Sequence, residues 1–177
     1  CSALERIDIP ASVTYVGEAA FVYCTGLKEA VIGDGVAEIA KRAFAECTAL
    51  KRVVIGRGIR RIGDMAFNTR SSWDQMTLES VTVLFDDISS GDFPVLESGQ
   101  RGVFPKPGGW DPVSYKIYVP QGTGATYRAK WADYASLIEE KLYGRRLSGQ
   151  AFGHGPVPAD LFFRTVQERF FLHGPFF

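Results

Sequence analysis

The sequence lacks the features of several protein classes. None of its apolar runs approaches the roughly 18 residues of a membrane-spanning helix, so we expect no span of a bilayer. Its 20 basic and 20 acidic residues give a formal net charge of zero. This balance argues against a nucleic-acid partner, because such binding depends on clustered Lys and Arg. With 46% hydrophobic and 23% charged residues, the chain is too apolar to be disordered and suits one domain, or one domain with an appendage.

Histidine is also scarce, since His154 and His173 are the only two. A His-based metal site or acid–base pair would have to come from that C-terminal segment alone. The sequence has no Gly-x-Ser-x-Gly elbow, P-loop or His-Glu-x-x-His motif, so we predict no enzyme, no catalytic residues, no metal and no cofactor. A calcium-like cluster at Asp86, Asp87 and Asp92 stays open, although their spacing favours solvated loop acids.

An internal repeat of 23 residues dominates the first part of the chain, marked by Cys1, Cys24 and Cys47. Apolar residues recur in phase with these cysteines. The matched sets are Leu4, Leu27 and Leu50; Ile9, Ile32 and Ile55; Val13, Val36 and Ile59; Val16, Ile39 and Ile62; and Phe21, Phe44 and Phe67. A unit this short cannot enclose its own core, whereas stacked units bury the apolar edge of each on the next. The repeat therefore predicts a solenoid with one extended strand per unit and an irregular return.

Each predicted strand has one buried face, as the alternation around Ile7 and Ile9 indicates. Stacked units would place these strands in a parallel sheet, about 4.8 Å apart. Opposite charges would then face each other on neighbouring rungs and favour the register by about 0.2–1 kcal/mol per pair. The expected charge ladders are Arg6, Glu29 and Arg52; Asp34 and Arg57; and Glu38 and Arg61. The cysteines, at one phase, favour a buried column of free thiols over a disulfide or a zinc site.

The repeated motif resembles the BspA-like leucine-rich repeat. Residues 1–69 contain three copies of one motif. Each copy begins with Cys-x-x-Leu, continues with a short predicted strand that ends in Ile-Pro or Ile-Gly, and has Ala-Phe shortly before the next copy. The resemblance implies a β-rich leucine-rich-repeat solenoid from a bacterial cell-surface or secreted protein. It also implies a protein ligand, such as a host extracellular-matrix or cell-surface protein. The match weakens after Arg70, which replaces a fourth cysteine, and residues 71–77 contain an insertion.

The predicted solenoid covers residues 1–143. Its units are the repeats 1–23, 24–46 and 47–69, an irregular repeat 70–114, and a closing unit 115–143. In the irregular repeat, a strand at 78–83 precedes a long return whose expected anchors are Phe93, Val103 and Phe104.

The closing unit resembles the strand and amphipathic helix that end arrays of this family. We expect a strand over 115–120 and a helix from Thr123, as its N-cap, to Leu142. The spacing of Tyr127, Trp131, Tyr134 and Ile138 places their side chains on one helix face. That face would cover the apolar edge of the last coil, which has no successor.

The remaining residues, 144–177, form a tail without the repeat. They hold seven of the 13 phenylalanines. A short helix could run from Asp160 to His173. The tail could pack on the flank of the solenoid, attach to a partner or membrane surface, or be poorly ordered. We predict that it is poorly ordered. At the other end, Cys1 begins a repeat without a polar cap, so we expect a fragment of a longer array or an array without a cap.

Two non-catalytic functions fit the sequence. The first is a protein-binding or adhesion module that uses exposed strand positions and two aromatic residues outside the regular repeats. The candidate positions are Arg6, Asp8, Glu29, Val31, Arg52, Val54, Ser80, Thr82, Trp73 and Trp110. The alternative is a structural spacer within a larger surface protein.

Overall fold

The computed structural model describes residues 1–69, 77–89, 91–97, 99, 101–107 and 113–143. The chain divides into two compact units, Cys1–Leu142 and Tyr143–Phe177. The predictions for the tail at 144–177, including its helix, lie outside the described residues. The three predicted anchors of the irregular repeat are among the described residues. Val103 and Phe104 are fully buried, and Phe93 packs against the core.

The first unit consists of short strands, a short α-helix and a 3₁₀ helix. In chain order they are β1 (Arg6–Ile9), β2 (Tyr15–Val16), β3 (Glu29–Ile32), β4 (Glu38–Ile39), β5 (Arg52–Ile55), β6 (Arg61–Ile62), β7 (Ser80–Val83), β8 (Val95–Leu96), β9 (Lys116–Pro120), α1 (Gly124–Lys130), a 3₁₀ helix (Ala132–Leu137) and β10 (Ile138–Lys141). Each of the first four coils contributes two strands, and the closing unit contributes the rest.

A six-stranded sheet, the large sheet, runs along one side of the solenoid in the order β1-β3-β5-β7-β9-β10. All neighbouring strands are parallel. Arg6 lies opposite Glu29, and Glu29 lies opposite Arg52, so neighbouring coils are aligned at the 23-residue repeat. The predicted β-rich solenoid with one such strand per repeat is confirmed.

The return side of each coil is more regular than predicted. Instead of an irregular segment, β2, β4, β6 and β8 form a second parallel sheet, the small sheet. Ile39 and Ile62 on this side are fully buried, and two-residue strands suffice to align them. The register places Glu38 opposite Arg61 as predicted, and the Arg61 guanidinium pairs with Glu97 on the following rung, at 3.4 Å.

The third side of the coils is held by backbone hydrogen bonds and a column of rings. The N–H of Phe44, for example, donates to the carbonyl of Ala66 in the next coil, at 2.7 Å. The stacked rings are, in order, Phe21, Phe44, Phe67 and Phe104. Their centroids are 4.9, 5.1 and 5.5 Å apart. One aromatic side chain from each coil thus forms a continuous part of the core.

The cysteines and leucines form the predicted interior columns, except in the first coil. Leu27 and Leu50 are fully buried, and Cys24 and Cys47 are buried free thiols. Cys1, which belongs to the first coil, is exposed. The columns therefore become covered only from the second coil onward.

The closing unit covers the last coil, but its helix is shorter than predicted. The α-helix ends at Lys130, because Trp131 leaves the helical region with φ −109° and ψ 53°. A 3₁₀ helix follows, and Ile138, predicted on the helix face, begins β10 instead. The aromatic prediction holds for Tyr127, Trp131 and Tyr134, which are buried against the core.

Thr123 is the N-cap residue of α1, as predicted, but the predicted hydrogen bond from the first turn to its hydroxyl is absent. Its hydroxyl donates to the Pro120 carbonyl at 2.6 Å and makes no hydrogen bond to the first turn of α1. The Glu140 carboxylate accepts the N–H groups of Gly122 and Gly124 instead, at 2.9 and 2.8 Å. A residue from β10 therefore ties the start of α1 to the edge of the large sheet.

Candidate binding surface

Alternate residues of the large sheet point away from the core and form what we call the outer face. The buried residues between them, such as Ile32, Val53 and Ile55, fix this alternation because each fills the core. All eight predicted strand positions lie on the outer face: Arg6, Asp8, Glu29, Val31, Arg52, Val54, Ser80 and Thr82. The structure does bring these residues together in two adjacent rows.

The first row is charged, and its charges are engaged within the protein. The Arg6 guanidinium pairs with Glu29 and, at 2.7 Å, with Asp8. Arg52 approaches the same Glu29 carboxylate from the other side, at 3.5 Å. The Glu29 side chain is only 15% exposed as a result. This ladder was predicted from the sequence, and it holds the coils in register by joining three strands.

Other predicted charges are also paired, though in different ways. Asp34 accepts the backbone N–H of Arg57 at 3.0 Å, and the Arg57 guanidinium pairs with Asp86 at 2.7 Å. Asp92 lies 3.9 Å from Arg60. Two of the three loop acids thus face arginines rather than one another. In the part of the chain that the structure describes, no group of three or more His, Cys, Asp or Glu side chains could hold a metal ion.

The second row of the outer face is largely uncharged. After Asp8 it continues through Val31, Val54, Thr82 and Tyr118, which are opposite one another on successive strands. We call these last four residues the central stripe. All four are half-buried. The Lys141 ammonium lies over the Tyr118 ring, 3.2 Å from its centroid.

Sequence reasoning missed Tyr118, although a signal was present. Lys116 and Tyr118 alternate with the fully buried Ile117 and Val119, as outward residues of a strand must. The strand was predicted only as part of the closing unit, so its outward side chains were not among the predicted binding positions. The predicted aromatic contacts Trp73 and Trp110 lie outside the described residues.

The most strongly perturbed groups belong to the core rather than to a reactive site. Burial raises the pKa of the Cys47 thiol to about 12, and its Sγ lies 3.1 Å from the Phe21 carbonyl. Burial also raises the pKa of Tyr115, whose hydroxyl donates to the Pro105 carbonyl at 2.7 Å. Both groups remain neutral and serve packing, because a reactive cysteine needs an accessible thiolate.

The repeated coils match a known family model. Residues 1–92 of the 177 match the model described as "BspA type Leucine rich repeat region (6 copies)". The chain belongs to the BspA-type leucine-rich repeat family. The BspA-type region thus contains the first three coils and β7, and the closing unit lies beyond it. A comparison with curated proteins gave no match. None of the helices in the described residues is sufficiently long and apolar for a transmembrane segment.

Proposed function

We propose that this chain is a non-catalytic, protein-binding adhesion module of a bacterial cell-surface or secreted protein. The outer face of the large sheet is its binding surface. The observation that carries the proposal is the central stripe, a row of half-buried side chains on the sheet. The row beside it is charged, but Arg6, Glu29 and Arg52 in that row form ion pairs within the protein. Membership of a leucine-rich repeat family supports it, because such repeats typically act as scaffolds for protein interactions.

The stripe suits a protein partner for two reasons. Half-buried Val31 and Val54 are already ordered by the sheet, so they lose little conformational entropy when a partner covers them. Tyr118 adds an aromatic side chain of the kind that dominates binding energy at many interfaces. The partner we propose is a host extracellular-matrix or cell-surface protein, as the family resemblance implies.

A binding assay with matched variants tests the proposal. The wild-type chain is measured against purified extracellular-matrix proteins and intact host cells. The same assay then uses Val54→Ser, Thr82→Ala and Tyr118→Ala, each checked for an unchanged circular dichroism spectrum. We expect at least one of the three to weaken binding by roughly fivefold or more.

The control variants lie on the small sheet, away from the outer face. Tyr15 and Val95 are 53% and 59% exposed, so Tyr15→Ala and Val95→Ser remove exposed apolar surface of the same residue types. Equal loss from the control and outer-face variants would remove the claim for the outer face. If the folded wild-type chain bound none of these ligands, the spacer function would be the better explanation.

A further inference from the structure

The charged row of the outer face alternates in sign until it reaches β7. Arg6, Glu29 and Arg52 are opposite one another on the first three strands of the large sheet. Continued alternation would place an acid on the fourth strand, but Ser80 lies there, and Lys116 follows on β9. Two cations therefore flank a neutral residue at the rung where the alternation breaks.

Each of the two cations has an acidic partner, but that partner lies on the side away from Ser80. Arg52 approaches Glu29 on β3, at 3.5 Å. Lys116 pairs with Glu139 on β10, at 2.8 Å. The Arg52 and Lys116 side chains nevertheless remain 51% and 42% exposed. Both cations can therefore bind a further anion that is placed between them.

The position above Ser80 suits a carboxylate. The Cα atoms of Arg52 and Lys116 are two strands apart, about 9.6 Å, so both long side chains can reach a group centred between them. In the part of the chain that the structure describes, the Ser80 hydroxyl has no hydrogen-bond partner, so it can donate to the same group. The preceding acid on this segment, Glu79, pairs instead with Lys51 at 2.9 Å. Hydrogen bonds between charged groups are the stronger ones in proteins, and this position offers two cations to one anion.

The uncharged central stripe lies beside this position. Thr82 follows Ser80 on the same face of β7, about 6.6 Å along the strand. Val54 and Tyr118 flank Thr82 on the neighbouring strands. A partner that fits both features presents a carboxylate and, at a similar spacing, an apolar side chain. Alternate residues of an extended peptide have this spacing, whereas a sulfated polysaccharide carries anions without apolar side chains.

We propose that the partner bound by the outer face is an acidic protein segment in an extended conformation. A Glu or Asp of that segment lies over Ser80, between Arg52 and Lys116, and an apolar residue two positions away lies over Thr82. The partner thereby supplies the carboxylate that the charge ladder lacks on β7. This inference rests on the proposed function, because it names the kind of protein that the outer face binds.

The variant Ser80→Glu supplies the carboxylate from within the chain and so tests the charge ladder without a partner. The new side chain should pair with Arg52 and Lys116, and we expect a melting temperature roughly 1–4 °C above that of the wild type. Ser80→Gln is the matched control, because it adds a side chain of the same size without the charge, and it should show no such rise. A melting temperature of Ser80→Glu at or below that of Ser80→Gln would contradict a cationic position above β7.

A short acidic peptide probes the position directly. The peptide Glu-Thr-Leu, blocked at both ends, is titrated into the isotope-labelled full chain, and NMR follows the amide signals of Arg52, Ser80, Thr82 and Lys116. We expect saturable shifts with a dissociation constant of about 1–10 mM, and binding of the peptide Gln-Thr-Leu that is roughly fivefold weaker or less. Ser80→Glu should weaken binding of the acidic peptide by roughly fivefold or more, whereas Ser80→Gln should leave it within about twofold.

The outcomes separate this inference from the proposed function. The inference fails if the two peptides bind equally, or if a heparin oligosaccharide shifts these signals and the acidic peptide does not, since the partner would then be a glycan. It also fails if Val54→Ser weakens the binding of a matrix protein and Ser80→Glu does not, and in that case the proposed function stands. Binding of the acidic peptide without binding of any matrix protein or host cell would remove the adhesion function and leave the acidic-segment site in place.

Discussion

The ring of Phe44 lies between two neighbours of the same repeat phase, and this makes it a sensitive position for stability. It is fully buried, with the rings of Phe21 and Phe67 at 4.9 and 5.1 Å. We expect Phe44→Ala to lower the free energy of unfolding by about 3–5 kcal/mol, because the cavity opens in the middle of the stack. Urea unfolding measures this loss. Tyr23→Ala in the first coil, where Tyr23 is 61% exposed, should change it by less than about 0.5 kcal/mol.

Thiol chemistry should distinguish the first cysteine from the other two. Because burial raises the pKa of Cys47 to about 12, only about one thiol in 10,000 is ionised at pH 8. Cys24 is also buried, whereas Cys1 is exposed. We expect a thiol reagent at pH 8 to label one cysteine rapidly in the native chain and three in denaturant. Rapid labelling that persists in Cys1→Ser would contradict the buried column.

Among the elements, the start of α1 depends on a carboxylate from β10. Hydrogen bonds from Gly122 and Gly124 lower the pKa of Glu140 below its ordinary value. A depressed folded-state pKa stabilises the fold above the unfolded-state value of about 4.5, and this stabilisation is lost as the pH falls through the folded-state pKa. We expect Glu140→Gln to lower the melting temperature at pH 7, with a difference from wild type that shrinks below pH 4.5.

The control for this prediction is Glu139→Gln, which removes an exposed ion pair with Lys116 at 2.8 Å. Exposed pairs contribute little, so its melting temperature should stay closer to that of the wild type at pH 7. A pH-independent effect of Glu140→Gln would mean that the carboxylate charge is not what holds the turn.

Strands that recur in every 23-residue repeat could be predicted from the sequence, because their apolar positions appear in three aligned copies. Three copies define the phase of Leu27, Ile32 and Phe44 without ambiguity, so the large sheet and its register could be read directly. The closing unit occurs once, and its helical spacing continued past the point where Trp131 leaves the helix. The sequence around Ile138 lacks the apolar–polar alternation of a strand. It forms β10 because it pairs with β9 in the folded chain. The small sheet was missed because two-residue strands show no alternation.

At the scale of the whole molecule, the closing unit stabilises the stack of coils by covering the last of them. The last coil is covered by Tyr127, Trp131 and Tyr134, whose polar atoms also hydrogen-bond to backbone carbonyls of Phe85, Pro94 and Phe104, at 2.9–3.0 Å. The outer face runs across the stacked coils, so the central stripe keeps its spacing only while the coils remain stacked.

This arrangement predicts different behaviour for two truncated chains. A chain ending at residue 142 keeps the whole first unit, and we expect it to unfold cooperatively without binding a hydrophobic dye in the native state. A chain ending at residue 114 loses the closing unit, and the fully buried Val83 and Phe104 of the fourth coil lose part of their cover. Because coils in a solenoid are stabilised by their neighbours, this chain should bind a hydrophobic dye and melt at lower temperature. If both truncated chains melted alike, the closing unit would not stabilise the last coil.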